Sequence, residues 1–292
     1  MRVNPLYVSN LVSALNQSSA TQQSLSQQLS SGRRVNVLSD DPVASGQNVL
    51  LSDQISSNDT FTHTAASVNS MLQVTDTALA AVTTQLNQAI SLATAANNGT
   101  MNADNLQAVS AQLTGIRDEV VALANTSYLG VYVFSGSNGN AIPFPSSVGP
   151  YQGGSAVNSL VTPNGQNIQL SVTGDQVFTA TGGDVLGILN KLIADFSTYP
   201  VGATAAADTT QLTTALNHVS GQRVVIGNAM SRVSAAQSSA QSQSTQLLAE
   251  QTDLIQADYG KIATALSASE TQQAALSQVI SRLGKGSLFD YF

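Results

Sequence analysis

The sequence predicts a mainly α protein, a long antiparallel helical bundle or coiled coil formed by both termini, with a small β-rich central insert. Three observations carry this. The first is punctuation: no proline falls between Pro42 and Pro143 or after Pro200, while four of the seven prolines (143, 145, 150, 163) lie between Tyr128 and Tyr199. Twelve of the 21 glycines crowd into the same region, from Gly130 to Gly202, and both residue types interrupt helices. The second is spacing, because apolar residues recur at 4-3 intervals in both arms, as in helices packed along their length. The third is confinement, since strand-like alternation and eight of the fourteen Phe and Tyr residues are found in the centre.

Taken in order, the first helix carries Leu11, Leu15, Leu25 and Leu29 in register, with Ser18 and Gln22 in the places between. Ser30-Ser31-Gly32 supplies a stop, with glycine just past the last turn. Arg33-Arg34-Val35-Asn36-Val37-Leu38 and Ser39-Asp40-Asp41-Pro42 follow. A residue before proline is pushed out of the α region, and proline suits the first helical position. Asp41 is therefore expected as the N-cap of the next helix, with Asp40 adding favourable charge. A second seam runs through Val68, Leu72, Thr75, Leu79, Val82, Leu86, Ala89, Ala93 and Ala96, and Asn97-Asn98-Gly99 ends it. Leu106, Val109, Leu113, Ile116, Val120 and Leu123 repeat the pattern as far as Asn125.

In the centre, Val131 to Phe134 reads as a strand before the turn cluster Ser135-Gly136-Ser137-Asn138-Gly139. Pro163-Asn164-Gly165 makes a tight turn before the alternating Ile168 to Val172, and Asp184 to Asp195 reads as a short helix. Beyond it, Leu212, Leu216, Val219, Arg223, Ile226, Met230 and Val233 form a third seam. A polar stretch from Ala235 to Gln246 is expected to shift the register, after which Leu248, Ile255, Tyr259, Ile262, Leu266, Leu276, Ile280 and Leu283 fit a fourth. The expected division is terminal coiled-coil segments 1–41 and 248–292, a helical bundle 42–127 and 205–247, and a β-rich domain 128–204.

Composition narrows the function. Only 9% of the 292 residues are charged, against about 25% in an ordinary soluble domain, so polarity comes from Ser, Thr, Asn and Gln. Coiled coils usually flank their seams with Glu and Lys; here the flanks are amides, hydroxyls and alanine. Such faces fit either a monomeric bundle or subunits covered by one another, and the second is preferred because uncharged groups cost less to bury. With 10 Lys and Arg against 17 Asp and Glu, no basic excess is present to neutralise phosphates, so nucleic-acid binding is not expected. The absence of cysteine removes disulfides and thiolate chemistry. No apolar run approaches the roughly 18 residues of a membrane span. Met1 to Asn10 contains no signal-peptide apolar region, so any export is expected to use a route without a cleaved signal.

Catalysis has little to draw on. His63 and His218 are the only histidines, and no H-E-x-x-H, G-x-S-x-G, P-loop or G-x-G-x-x-G motif is present. Asp118-Glu119 are adjacent and point to different sides of a helix. The expectation is no catalytic site, metal or cofactor. Two features stay open. The pairs Arg33/Arg34 and Asp40/Asp41 either form a plain stop and restart or dock neighbouring subunits. Tyr132, Phe134, Phe144 and Tyr151 either make a small strand core or stack on sugars in an adhesin-like module.

Leu29-Ser30-Ser31-Gly32-Arg33-Arg34-Val35, followed by Ser39-Asp40-Asp41-Pro42-Val43-Ala44, resembles the amino-terminal signature of the flagellin superfamily. Flagellins proper generally follow the acidic pair with Ala-Ala-Gly, whereas Asp-Asp-Pro resembles the branch found at the junction of hook and filament. Ala122 to Thr126 leading into Gly130 to Gly136, Val172 to Phe178, and the tail Ser287-Leu288-Phe289-Asp290-Tyr291-Phe292 are similar to that branch too.

The resemblance implies a non-catalytic structural adaptor, exported unfolded by the flagellar type III apparatus and placed between the first hook–filament junction protein and flagellin. It implies self-assembly into a ring or tubular layer through terminal helices, without a cofactor or membrane insertion, and a flagellar export chaperone as partner. The residues expected at that assembly interface are Leu11, Leu15, Leu25, Leu29, Arg33, Arg34, Asp40, Asp41, Pro42, Ile255, Tyr259, Ile262, Leu266, Leu276, Ile280 and Leu283. Leu288, Phe289, Tyr291 and Phe292 are expected to dock a chaperone or subunit, or to fold back on the bundle. Weak terminal seams imply that the ends order fully only when neighbours cover them. A short flagellin and a surface adhesin on a helical stalk are the alternatives.

Overall fold

The computed structural model describes residues 5–285, with side chains from 9 to 282. Among these residues there are seven helices and two small antiparallel sheets: α1 (Pro5–Ser31), α2 (Pro42–Ala96), α3 (Ala103–Ala124), β1 (Ser127–Tyr128), β2 (Val131–Tyr132), β3 (Ser159–Val161), β4 (Asn167–Gln169), α4 (Gly174–Phe178), α5 (Val185–Phe196), α6 (Ala205–Ile255) and α7 (Tyr259–Lys285). The contacts divide the chain into two compact units, one of Met1–Ser56 with Gln243–Phe292, the other of Ser57–Ser242.

The larger unit, 57–242, holds the dense core. Within it α2 and α6 run antiparallel: the Asn97 amide donates to the Thr209 hydroxyl at 2.9 Å, and the Arg223 guanidinium forks onto Asp76 at 3.0 and 3.2 Å. The seam residues expected on α2 are buried from Leu72 to Ala96, and on α3 from Leu106 to Val120. α3 packs on α5, tied by the Ser110 hydroxyl to the Ile193 carbonyl at 2.9 Å. Asn102 and Asp184 cap α3 and α5 by accepting from the amides of Asn105 and Gly187, which meets donors that a helix start leaves free.

The insert shares its apolar core with the helices. Phe134, Phe144 and Phe178 are fully buried and belong to the same apolar cluster as Leu79, Leu113 and Val219. Their rings meet nearly edge to face, Phe134 to Phe178 at 5.3 Å and Phe144 to Phe178 at 5.7 Å between centroids, a preferred aromatic geometry. Each such side chain contributes about 1.5–3 kcal/mol by leaving water. The strands are shorter than the alternation suggests, two or three residues each. Loop segments make up the rest of the packing: Phe134 and Val172 are buried outside any strand. The β3–β4 turn at Asn164-Gly165 falls where the sequence places it, with Gly165 at φ +77°.

In the smaller unit α1 lies antiparallel to α7. The Ser18 hydroxyl bonds the Ser269 carbonyl at 3.4 Å and the Ser269 hydroxyl bonds the Ser18 carbonyl at 3.3 Å. Further along, the amides of Arg34 and Ala257 bond the carbonyls of Ile255 and Gly32 at 2.7 and 3.0 Å.

Two expectations are corrected. The polar stretch 235–246 neither interrupts α6 nor shifts its register. Buried and half-buried positions continue as Val233, Gln237, Ala240, Ser244, Leu247, Gln251 and Leu254, so Leu247 sits in the seam and Leu248 is exposed. Ala240 and Ser244 hold the seam with small side chains that a hydropathy pattern passes over. The fourth seam is also broken, because helix stops at Ile255 and restarts at Tyr259. Asp258 caps the restart by accepting from the Lys261 amide at 3.0 Å.

Candidate assembly interface

The smaller unit gathers most of the residues that the sequence marks for assembly. Their local geometry begins at Gly32, whose φ of +68° ends α1 as its amide bonds the Gln28 carbonyl at 2.9 Å. A side chain there would also meet the Tyr259 hydroxyl at 2.9 Å, so glycine is required twice over.

The following loop is closed by its own charges. The Arg34 guanidinium pairs with the Asp41 carboxylate at 2.8 Å and donates to the Leu254 carbonyl at 3.0 Å. Asp41 accepts from the Ala44 amide at 3.0 Å, the cap expected ahead of Pro42. Asp40 accepts from the amides of Asn36 and Val37 at 2.9 and 3.0 Å. These bonds hold both carboxyls below their ordinary value of 3.8, chiefly through the Val37 amide for Asp40 and the Ala44 amide, then Arg34, for Asp41. Of the two open readings, the stop and restart is therefore built by Arg34, Asp40 and Asp41 themselves. The exposed Arg33 makes no ion pair among the described residues.

Beyond the loop, the α1–α7 seam is only partly covered. Leu11, Leu15 and Leu25 on α1 and Leu266, Leu276 and Ile280 on α7 are half-buried, as is Ile255, while Ile262 is buried. Ser18, Gln22, Ser269 and Gln273 fill places that leucine holds in an ordinary seam. Leu29 and Tyr259 stand outside it, 41% and 54% exposed. The expected position Leu283 lies beyond the described side chains, and the tail residues Leu288, Phe289, Tyr291 and Phe292 lie outside the described residues altogether. No residue of α1 from Pro5 to Ser31 is charged.

Sequence reasoning misses several strongly exposed apolar side chains of this unit. Val37, Leu38 and Val43 stand 52–71% exposed on the loop and first turn of α2, with Val49 and Leu50 at 58% and 64% a little further on. Their signal is a run of aliphatic residues outside any heptad place. Ser269, the buried partner of Ser18, is missed as well, although it falls three residues after Leu266, in register.

Family models of the bacterial flagellin N-terminal helical region and the bacterial flagellin C-terminal helical region match residues 4–139 and 209–292. Flagellar hook-associated protein 3 of Salmonella typhimurium is 30% identical over 294 residues, covering 93% of this chain and 92% of the relative. The chain belongs to the flagellar hook-associated protein 3 family, within the flagellin superfamily. Among solved structures, a flagellar hook-associated protein from Vibrio parahaemolyticus shares the fold with a TM-score of 0.66, at 20% identity over 74% of this chain and all of that one. The flagellar junction protein from Legionella pneumophila does so with 0.57, at 14% identity over 72% of this chain and 99% of that one.

As a member of the hook-associated protein 3 family the chain is a structural flagellar protein, and its remaining features fit that role. Phe134 and Phe144 are fully buried, and the Tyr151 hydroxyl donates to the Phe134 and Gly154 carbonyls at 2.9 and 3.1 Å. Burial pushes the Tyr151 phenol up to about 12. The Phe134 and Phe144 rings are core; Tyr132 and Tyr151 are half-buried, with the Tyr151 ring against Phe144 at 5.5 Å. One nitrogen of the His218 ring lies 2.7 Å from the Gln176 carbonyl, a structural bond, and His63 is exposed on α2. Among the described residues no group of three or more His, Asp or Glu side chains is placed to hold a metal, and no helix is long and apolar enough to cross a membrane.

Proposed function

We propose that this chain joins the hook-side junction protein to the flagellin filament, and that it polymerises through its terminal helices without any catalytic role. The observation that carries the reading is the half-covered α1–α7 pair, in which α1 carries no charge at all. Leu11, Leu15, Leu25, Leu266, Leu276 and Ile280 are paired well enough to set register, yet a single chain does not bury them. Covering such faces with further copies completes a core at little electrostatic cost. Leu29, Arg33, Tyr259 and the aliphatic group around Leu38 extend the same surface. Segments 1–41 and 248–292 act as the assembly part, 42–127 with 205–247 as the bundle, and 128–204 as the outward domain. The names of its relatives, hook-associated and junction protein, support the placement. The apolar tail from Leu288 to Phe292 is the docking segment for an export chaperone.

Deleting the gene tests the placement. A junction adaptor leaves hooks intact and spills monomeric flagellin into the medium. If the major filament protein itself disappears, the chain is a filament subunit and the adaptor reading fails.

A further inference from the structure

Three Asn-Gly pairs sit on the surface of the larger unit, each in a turn: Asn98-Gly99 after α2, Asn138-Gly139 after β2, and Asn164-Gly165 between β3 and β4. In this dipeptide the side-chain amide is unusually open to attack by the next main-chain nitrogen, because glycine offers no side chain to hinder it. The asparagines are all exposed. What differs is how the attacking nitrogen is held. The Gly165 amide donates to the Thr162 carbonyl at 2.9 Å, inside a turn clamped by Thr162 to Gln166 at 2.8 Å and by Gln166 to the Thr162 hydroxyl at 3.0 Å. Among the described residues the amides of Gly99 and Gly139 make no hydrogen bond, and neither do the side chains of Asn98 and Asn138.

We propose that Asn98 and Asn138 are sites of spontaneous deamidation in the folded chain, and that the hairpin protects Asn164. The glycine nitrogen attacks Cγ of the asparagine and a new C–N bond closes a five-membered succinimide. The bond from Cγ to Nδ2 breaks, and ammonia leaves carrying the proton lost by the glycine nitrogen. Water then opens the ring. Addition at Cγ gives aspartate; addition at the main-chain carbonyl gives isoaspartate, with the backbone rerouted through Cβ and Cγ. No oxidant or enzyme enters, and the only co-reactant is water. At Gly165 the same attack must first break the bond to Thr162 and distort the hairpin.

The two sites differ in consequence. Position 98 lies just past the carboxyl end of α2, where a new carboxylate opposes the helix dipole. It also adjoins Asn97, whose amide ties α2 to Thr209 and the Ala205 carbonyl on α6. Position 138 lies in a run from Val120 to Gly174 without a charged residue, so deamidation puts the first charge there.

The test is peptide mapping by mass spectrometry of the full-length chain aged at mildly alkaline pH, with isoaspartyl forms resolved by chromatography. One sample is folded and the other is held in urea. In the folded chain, conversion at Asn98 and Asn138 is expected several-fold faster than at Asn164, and in urea the gap closes as Asn164 accelerates. Asn98→Gln is expected to abolish conversion in its own peptide and to leave Asn138 unchanged, because glutamine would need a six-membered ring. The proposal is overturned if Asn164 converts as fast as the others in the folded chain. It is equally overturned if folding slows Asn98 and Asn138 to the rate of Asn164.

Discussion

The two compact units solve the same problem, packing helices by heptads, to different degrees. In the unit 57–242 the seams are closed: Leu72, Leu79, Leu86, Leu113 and Leu212 are fully or almost fully buried, and three phenylalanines lock the insert onto them. In the other unit the buried apolar side chains among the described residues are Ala44, Leu247, Ala257 and Ile262, two of them alanines. Among the described residues that smaller unit nevertheless exposes ten of the nineteen large apolar side chains that stand out on the surface, from Val12 to Val279. The difference teaches where one copy of the chain buries its seams and where it leaves apolar side chains uncovered, the surface that the proposed assembly would use.

Truncations sharpen this contrast most. Phe178→Ala removes the ring shared by Phe134 and Phe144 and is expected to cost about 3–5 kcal/mol in denaturant unfolding. Leu15→Ala and Leu266→Ala remove side chains that are only half-buried, so the monomer should lose about 1 kcal/mol or less. Both should nevertheless fail to restore motility to a deletion strain. A seam leucine that destabilises the monomer as much as Phe178→Ala would erase the contrast. Gly32→Ala comes next, at about 1 kcal/mol or somewhat more, because alanine is strained at positive φ and the Tyr259 hydroxyl blocks its methyl group. The readout is protease sensitivity of α1, with the larger unit unaffected.

A gain is expected at Leu129, which sits at φ +51° on the β1–β2 turn while 82% exposed. Leu129→Gly relieves a left-handed cost of about 1 kcal/mol, offset in part by the added freedom of the unfolded chain. A raised unfolding midpoint of the larger unit would show it.

The pH response separates the units by sign. Asp40, Asp41 and Asp258 have folded values lowered below 3.8. Their stabilisation is complete above 3.8 and is lost as pH falls through the lowered values. Tyr151, raised from 10 to about 12, acts oppositely. Its contribution is present below pH 10 and is lost as pH rises through 12. Hydrogen exchange should therefore show the amides of Asn36, Val37, Ala44 and Lys261 loosening in acid, and the Phe134 to Gly174 region loosening in alkali. Asp40→Asn should flatten the acid limb; an unchanged profile would remove the carboxylate from the account.

Much of this was legible in the sequence because its signals are local. The seams of α2, α3 and the first half of α6 follow from 4-3 spacing, and Asp41-Pro42 announces a capped restart. Three things were not legible. Leu247 and Leu248 are adjacent leucines, and only continuity through Ala240 and Ser244 decides which faces inward. The break after Ile255 contains neither glycine nor proline within it, and it is fixed by main-chain bonds to Gly32 and Arg34, more than 200 residues away in sequence. Ser18 looks like a defect in the seam until Ser269 is seen opposite, and a long-range hydroxyl pair leaves no pattern in either helix. The candidate interface was legible as a seam, but the aliphatic group at Val37, Leu38 and Val43 follows no period.

The want of charge on α1 has a consequence for the surroundings in which such a protein works. Ions weaken contacts between opposite charges and screen them over about 8 Å at physiological ionic strength. A helix of twenty-seven residues without a charge offers almost nothing to screen, and apolar association is strengthened by excluded salts. If α1 forms the proposed joint, that joint is expected to hold alike in dilute and in briny water.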